Sequence, residues 1–108
     1  MKHLSVGKNL TAGSSNLIYT VPDGYQVRWN LMYLHNGGGN TKTITVTWHD
    51  ASENTDINVF NAYSLASKDY FKMNGGAYVV LEAGDTITMT PEAASTFYTI
   101  CTFVLERT

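Results

Sequence analysis

A chain of 108 residues has the size of one domain and is long enough to bury a hydrophobic core of its own. Its formal net charge of −2 argues against a protein that binds nucleic acid through a basic surface. The one cysteine, Cys101, has no partner for an internal disulfide and fits folding in a reducing compartment. Only 15% of the residues are charged, so uncharged polar residues must form much of the surface.

The N-terminal residues contain no apolar stretch of the kind that signal peptides carry. No other stretch approaches the ~20 apolar residues that cross a membrane. The sequence therefore predicts a protein that is not secreted, has no membrane partner and forms a single domain over residues 1–108.

Runs of β-branched and aromatic residues, separated by turn residues, predict eight or nine strands and no convincing helix. The first is a short edge strand. In chain order the predicted strands cover residues 4–10, 17–21, 25–36, 41–49, 57–60, 68–73, 79–81, 86–90 and 96–106. Gly24 and Gly84 supply the positive φ that two of the intervening turns need, and Pro22 is expected to preset φ at a turn corner. We also expect hairpins at residues 36–40, 74–76 and 83–85.

Two of these strands are long and apolar on both sides, which predicts that they are neighbours in the central sheet. In residues 25–36, Tyr25, Val27, Trp29, Leu31 and Tyr33 should share one face. The apolar residues left over after one buried face is filled predict a subunit contact, and hence a homo-oligomer, most simply a trimer. These surplus residues are Met32, Leu34, Tyr98, Ile100 and Val104.

Strand number and turn spacing together predict an all-β fold, an antiparallel β-sandwich that is jelly-roll-like. Alternation within the strands indicates which side chains form its core. The predicted core residues are Ile18, Val27, Trp29, Leu31, Ile44, Val46, Trp48, Val80, Ile87, Phe103 and Leu105.

The fourth predicted strand alternates strictly, and Thr43, Thr45 and Thr47 share one of its faces. This pattern is typical of a strand with one face in water. Threonine rows also occur on ice-binding surfaces, but the β-propensity of threonine explains a single row more simply.

No motif in the sequence predicts a catalytic, cofactor-binding or metal-binding residue. The glycines of residues 36–40 lack the spacing and the lysine of phosphate-binding loops. His49, Asp50, Glu53 and Asp56 are possible metal ligands that lie close together in sequence, but they do not match the spacing of a calcium loop.

Two phrases carry a family resemblance: LIYTVPDG at residues 17–24 and VLEAGDTI at residues 80–87. With residues 43–48 between them and a last strand that ends VLE at residues 104–106, they resemble small virion structural proteins of tailed bacteriophages. The resemblance covers nearly the whole chain. It implies a β-sandwich that decorates the capsid or sits in the neck or tail, with other virion proteins as partners and no catalytic residues.

The leading hypothesis is therefore a non-enzymatic virion protein, most simply a capsid decoration (cement) protein that binds the capsid lattice after synthesis in the host cytoplasm. Residues 36–40 and 51–56 are its predicted contact loops. A carbohydrate-binding module of the phage tail is the alternative, with Trp29, Trp48 and several tyrosines as sugar platforms. A small jelly-roll enzyme is a third possibility, against which the lack of a His-rich metal motif argues.

Overall fold

The computed structural model of the chain describes residues 2–73 and 78–108, which form nine β-strands and no helix. The strands are β1 (Lys2–Leu10), β2 (Asn16–Thr20), β3 (Tyr25–Asn36), β4 (Lys42–Asp50), β5 (Thr55–Leu65), β6 (Tyr70–Met73), β7 (Val79–Leu81), β8 (Thr86–Pro91) and β9 (Phe97–Arg107). All nine overlap the predicted ranges. The largest difference is in β5, which continues to Leu65 where the sequence pattern indicated a loop.

The strands form two antiparallel sheets. Sheet A has the order β1-β9-β3, and both β6 and β7 pair with the far edge of β3. Sheet B has the order β2-β8-β4-β5. The two sheets enclose one cluster of buried side chains, so the predicted all-β antiparallel sandwich is confirmed.

The two long strands are neighbours, as predicted. β3 and β9 pair from Tyr25 opposite Arg107 to Asn36 opposite Phe97, and they form the centre of sheet A. A β-bulge interrupts this ladder between Trp29 and Leu31.

The bulge reverses which residues of β3 point inward, because one extra residue shifts the two-residue alternation by one position. Before the bulge, Val27 and Trp29 point inward, and after it Met32 and Leu34 do. All four side chains are fully buried. The predicted face is therefore wrong beyond Trp29. The assignment of Met32 and Leu34 to a subunit contact is also wrong, since both belong to the core of the chain itself.

Most of the predicted core is confirmed: eight of the eleven residues are buried, and Trp48 is half-buried against the core. Leu31 is only half-buried because the bulge turns it outward. Val80 is exposed, since it lies opposite Arg28 on the outer face of sheet A, whereas Leu81 lies opposite Val27 and points inward.

Two predicted hairpins are wrong, because the turns cross between the sheets. Residues 37–41 connect β3 of sheet A with β4 of sheet B, and residues 82–85 connect β7 of sheet A with β8 of sheet B. The predicted hairpin at residues 74–76 lies outside the described residues. Each crossover brings a turn to one end of the sandwich, and these ends carry the polar networks described next.

Candidate interaction surface

The four residues considered as possible metal ligands do not converge. His49 and Asp56 lie directly opposite each other on β4 and β5, with His49 Nδ1 2.6 Å from Asp56 Oδ1. Asp50 instead accepts a hydrogen bond from Ser52 Oγ at 2.9 Å. Across residues 2–73 and 78–108, no group of three or more His, Cys, Asp or Glu side chains is placed to hold a metal ion.

The two predicted contact loops lie at opposite ends of the sandwich, because one precedes β4 and the other follows it. The side chain of Asn36 fixes the conformation of the loop at residues 36–40. Asn36 is buried, and the sequence analysis did not single it out. Its Nδ2 donates to the carbonyl oxygens of Asn40 and Leu65 at 2.9 and 3.0 Å, and its Oδ1 accepts from the Gly38 amide at 3.0 Å. The Gly37 amide also donates, to the Thr96 carbonyl at 2.8 Å, so the amides of Gly37 and Gly38 are both bonded within the chain.

Asp85, the last residue of the VLEAGD phrase, organises the other end. It is 1% exposed, and its carboxylate accepts three hydrogen bonds. The donors are Trp48 Nε1 at 3.1 Å, the Ala51 amide at 2.9 Å and the Glu82 amide at 3.0 Å. Asp85 therefore ties the turn before β8 to the end of β4.

The two phrases of the family resemblance contact each other directly. The Val21 amide donates to the Asp85 carbonyl, and the Gly84 amide donates to the Val21 carbonyl, both at 3.0 Å. Gly24 has φ of +83° in the turn that the Tyr25 amide closes on the Pro22 carbonyl. Pro22 is thus the first residue of this turn, and the predicted role for it at a turn corner is wrong. Both phrases are structural: they join the two sheets.

The outer face of sheet A carries most of the exposed large apolar side chains in the described part of the chain. Of eight such residues, five lie on this face, with exposed fractions from 39% to 57%. They are Tyr70, Tyr78, Val80, Tyr98 and Ile100. The other three, Leu17, Ile57 and Tyr63, are on the strands at the edges of sheet B.

Cross-strand pairing arranges this surface in rows. One row runs Asn9, Tyr98, His35, Tyr70 across β1, β9, β3 and β6, and the next runs Gly7, Ile100, Tyr33, Lys72. Within them the His35 ring stacks on Tyr98 at 6.1 Å and the Tyr33 ring on Tyr70 at 5.7 Å, measured between ring centroids. We call the surface formed by Tyr33, His35, Tyr70, Tyr78, Val80, Tyr98 and Ile100 the aromatic face.

In the described ranges, three charged side chains share the outer face of sheet A with the aromatic residues: Arg28, Lys72 and Glu106. Arg28 stands 5.5 Å from the Tyr78 ring centroid, and its guanidinium is 3.8 Å from the Glu106 carboxylate. Beside Ile100, Gly7 leaves a shallow groove between β1 and β9. Tyr98 and Ile100, two of the five surplus residues in the sequence, lie here, whereas Val104 is only 6% exposed.

The outer face of sheet B differs in chemistry. Thr45 and Thr47 of β4 lie opposite Thr90 and Thr88 of β8, so the single predicted threonine row is in fact a double one. Thr47 Oγ1 donates to Asn58 Oδ1 at 3.0 Å, and Thr45 Oγ1 accepts from the Ala62 amide at 3.0 Å. These hydroxyls are thus partly paired within the sheet itself.

The two tryptophans predicted as sugar platforms are turned inward. Trp29 is fully buried, and its Nε1 donates to the Leu31 carbonyl at 3.1 Å. Trp48 packs against the core and donates to Asp85.

Cys101 is also fully buried, and burial raises the pKa of its thiol to about 11. No helix in the described ranges could span a membrane.

The fold and its surfaces define the class of the protein, an all-β antiparallel sandwich with one apolar outer face. No protein-family model matches the chain, and no curated protein matches it.

Two solved structures are similar in fold. A protein of Bacillus endospore appendages, described as a novel family of disulfide-linked pili, superposes with a TM-score of 0.58. It is 15% identical, and the match covers 98% of this chain and 85% of that one. The globular domain of the zebrafish complement 1qA protein superposes with a TM-score of 0.52 and 13% identity, covering 98% of both chains. At these identities the likeness concerns the fold alone.

Proposed function

We propose that the chain is a non-enzymatic structural protein of a tailed-bacteriophage virion, most simply a decoration protein that binds the capsid lattice. The observation that carries this proposal is the aromatic face, an uncovered sheet surface that is rich in tyrosine and carries few charges. Interface cores are enriched in aromatic residues and depleted in charge. The sequence resemblance to virion proteins supplies the setting, and the crossovers between sheets support the jelly-roll-like sandwich that strand number and turn spacing predict.

The fold neighbours support an assembling role in a limited way. The Bacillus appendage protein belongs to a family of pili, so a sandwich of this kind can serve as a building unit. That family is disulfide-linked, whereas the single cysteine of this chain is buried and holds its proton to high pH. Assembly of this chain would therefore depend on non-covalent contacts.

In the proposed mechanism, the rigid sandwich presents its surfaces to many equivalent sites on a particle. Contacts that are modest individually gain strength when many copies bind together. The ends of the sandwich are pre-ordered by Asn36 and Asp85, so the loops there need little further ordering on binding. The proposed partners are other virion proteins, with neither nucleic acid nor membrane among them, and assembly takes place in the host cytoplasm.

The test is to purify phage particles and measure the protein by quantitative mass spectrometry. We expect it in mature particles at a fixed ratio to the major capsid protein. Particles assembled without it should bind the purified protein back until they reach that ratio. Its absence from mature particles, or failure of the lacking particles to bind it, would contradict the proposal.

A carbohydrate-binding role is the second candidate, and exposed Tyr70 and Tyr98 are the observation that favours it. Their rings stack on Tyr33 and His35 and so form the kind of flat aromatic platform on which a sugar ring can lie. A glycan array separates the two roles: selective glycan binding that Tyr98→Ser abolishes would favour the second, and an array without signal favours the first.

A further inference from the structure

We infer that the aromatic face is the contact surface between copies of this chain. The inference rests on the proposed role as a building unit and makes it specific, because it names the surface and the partner. Four observations support it: the size of the face, its composition, its charges and the groove beside Gly7.

The outer surface of sheet A, which contains the aromatic face, has the size of one side of a standard protein interface. Sheet A is four strand positions wide, since β6 and β7 occupy the same side of β3, and β9 has 11 residues. Strand spacing and rise then give a surface of about 19 by 36 Å, or roughly 700 Å². A stable interface buries roughly 800 Å² on each partner. A second copy can therefore cover the face, whereas a small ligand would leave most of it exposed.

The composition of the face is that of a subunit interface. Its two central rows carry the stacked pairs His35–Tyr98 and Tyr33–Tyr70, and Ile100 lies opposite Tyr33. Interfaces between identical subunits are more apolar than ordinary surface. Lone exposed apolar side chains need no explanation, but a contiguous set of this size does.

The charges permit contact with an identical surface. Arg28 and Lys72 are positive and Glu106 is negative, and the Arg28–Glu106 pair is loose and half-exposed. The whole chain carries a net charge of only −2. Two copies therefore meet without strong repulsion, whereas a strongly acidic or basic partner would find no matching field on this face.

The groove beside Gly7 adds a specific shape. A glycine inside a strand gives up side-chain packing and often marks a close approach by another chain. A Cβ built on Gly7 would meet only the Thr99 carbonyl, at 3.9 Å, so packing within the chain does not require glycine there. Gly7 lies opposite Ile100, which is 45% exposed. The face thus offers a projecting side chain and a notch next to each other, and a neighbouring copy can use both.

The experiment compares two isoleucines of nearly equal exposure on opposite sheets. Ile100 is 45% exposed on the aromatic face, and Ile57 is 44% exposed on β5 of sheet B. Size-exclusion chromatography with light scattering should give a mass of two or three chains for the unmodified protein at tens of micromolar. Ile100→Lys should raise the dissociation constant about 100-fold or more, because it would bury an unpaired charge in the contact. Ile57→Lys should leave the mass unchanged.

Gly7→Val provides a second variant that fits the isolated chain and fills only the groove. It should also weaken self-association while circular dichroism remains that of the unmodified protein, which separates loss of contact from loss of fold. A monomeric unmodified protein at 100 µM, or equal weakening by Ile57→Lys and Ile100→Lys, would overturn the inference. Its failure is distinct from that of the proposed function, because the mass is measured on purified protein and presence in particles is measured separately.

Discussion

The two outer faces of the sandwich are built on the same scaffold with opposite chemistry. On sheet B, paired threonines cover two neighbouring strands, and their hydroxyls bond to groups within the same sheet. On sheet A, tyrosines and Ile100 occupy the corresponding outward positions and are exposed. A threonine face is stable in water because each side chain has a hydroxyl to hydrate. On the aromatic face each tyrosine hydroxyl is carried on a large apolar ring, and Val80 and Ile100 have no polar group. This difference indicates which side of the sandwich is built to be covered.

The inner sides of the two sheets should also differ, in how much their tryptophans contribute to stability. Trp29 of sheet A is fully buried beside Phe103, with a centroid distance of 6.4 Å, whereas Trp48 of sheet B is only half-buried. We expect Trp29→Ala to lower the free energy of unfolding by about 3–5 kcal/mol. Trp48→Ala should lower the free energy of unfolding by less, about 2–3 kcal/mol, because the Trp48 side chain is not fully buried. Urea unfolding followed by circular dichroism measures both, and a larger loss for Trp48→Ala would contradict this ranking.

The carboxylate that links the two sheets should be the most sensitive polar group. Asp85→Ala removes three hydrogen bonds and leaves their donors at a buried site. We expect a loss of about 2–4 kcal/mol in the free energy of unfolding. Asp50→Ala is the matched control: within the described part of the chain the Asp50 side chain bonds only to Ser52, and its loss should cost under about 1 kcal/mol. Equal urea midpoints for the two variants would show that Asp85 does not hold the sheets together.

The buried thiol on the inner side of β9 should make the stability of the chain depend on pH. Burial raises the pKa of the Cys101 thiol from 9.0 to about 11, so at alkaline pH the folded chain binds more protons than the unfolded one. The contribution is fully present below pH 9 and is lost as pH rises towards 11, by about 3 kcal/mol in all. Burial raises the pKa of Tyr19 as well, which acts in the same direction.

The control for this pH effect is Cys101→Ala measured over the same range in Tyr19→Phe chains. The double variant should show a flatter dependence of the urea midpoint on pH than Tyr19→Phe alone. Identical slopes would mean that Cys101 does not contribute to the loss.

The smallest effect is expected on the outer face of sheet B. Thr47→Lys introduces a charge at a half-buried position where water is close. It removes the side-chain hydrogen bond from Thr47 to Asn58. We expect a change within about 0.5 kcal/mol and an unaltered mass by light scattering. A dissociated Thr47→Lys variant would assign an assembly role to the threonine face and remove the contrast between the two faces.

Much of the fold follows from the sequence because turn residues and strand propensity mark where strands begin and end. The bounds of β3 and the pairing of β3 with β9 are predictable in this way. The bulge at Trp29 is not, because a strand that is apolar on both sides contains no break in pattern to show where alternation reverses. Met32 and Leu34 were therefore placed on the wrong side.

The aromatic face was only partly predictable for the same reason. Tyr98 and Ile100 stood out as surplus apolar residues, but Tyr33 joins them only because the bulge turns it outward. Tyr70 joins them only because β6 pairs with the far edge of β3. The pairing of distant strands depends on the whole core, and local propensity does not specify it. The buried roles of Asn36 and Asp85 were hidden likewise, since neither residue type is usually buried.

The most direct test of the central claim compares two tyrosines of similar exposure on different sheets. Tyr98 on the aromatic face is 39% exposed in the isolated chain, and Tyr63 at the edge of sheet B is 37% exposed. Nitration by tetranitromethane, read by mass spectrometry, reports which ring is covered, and Ile100→Lys serves as the monomeric reference. We predict that Tyr98 reacts much more slowly in the unmodified protein than in Ile100→Lys, while Tyr63 reacts equally in both. Equal reactivity of Tyr98 in the two proteins would contradict the claim that a second copy covers this face.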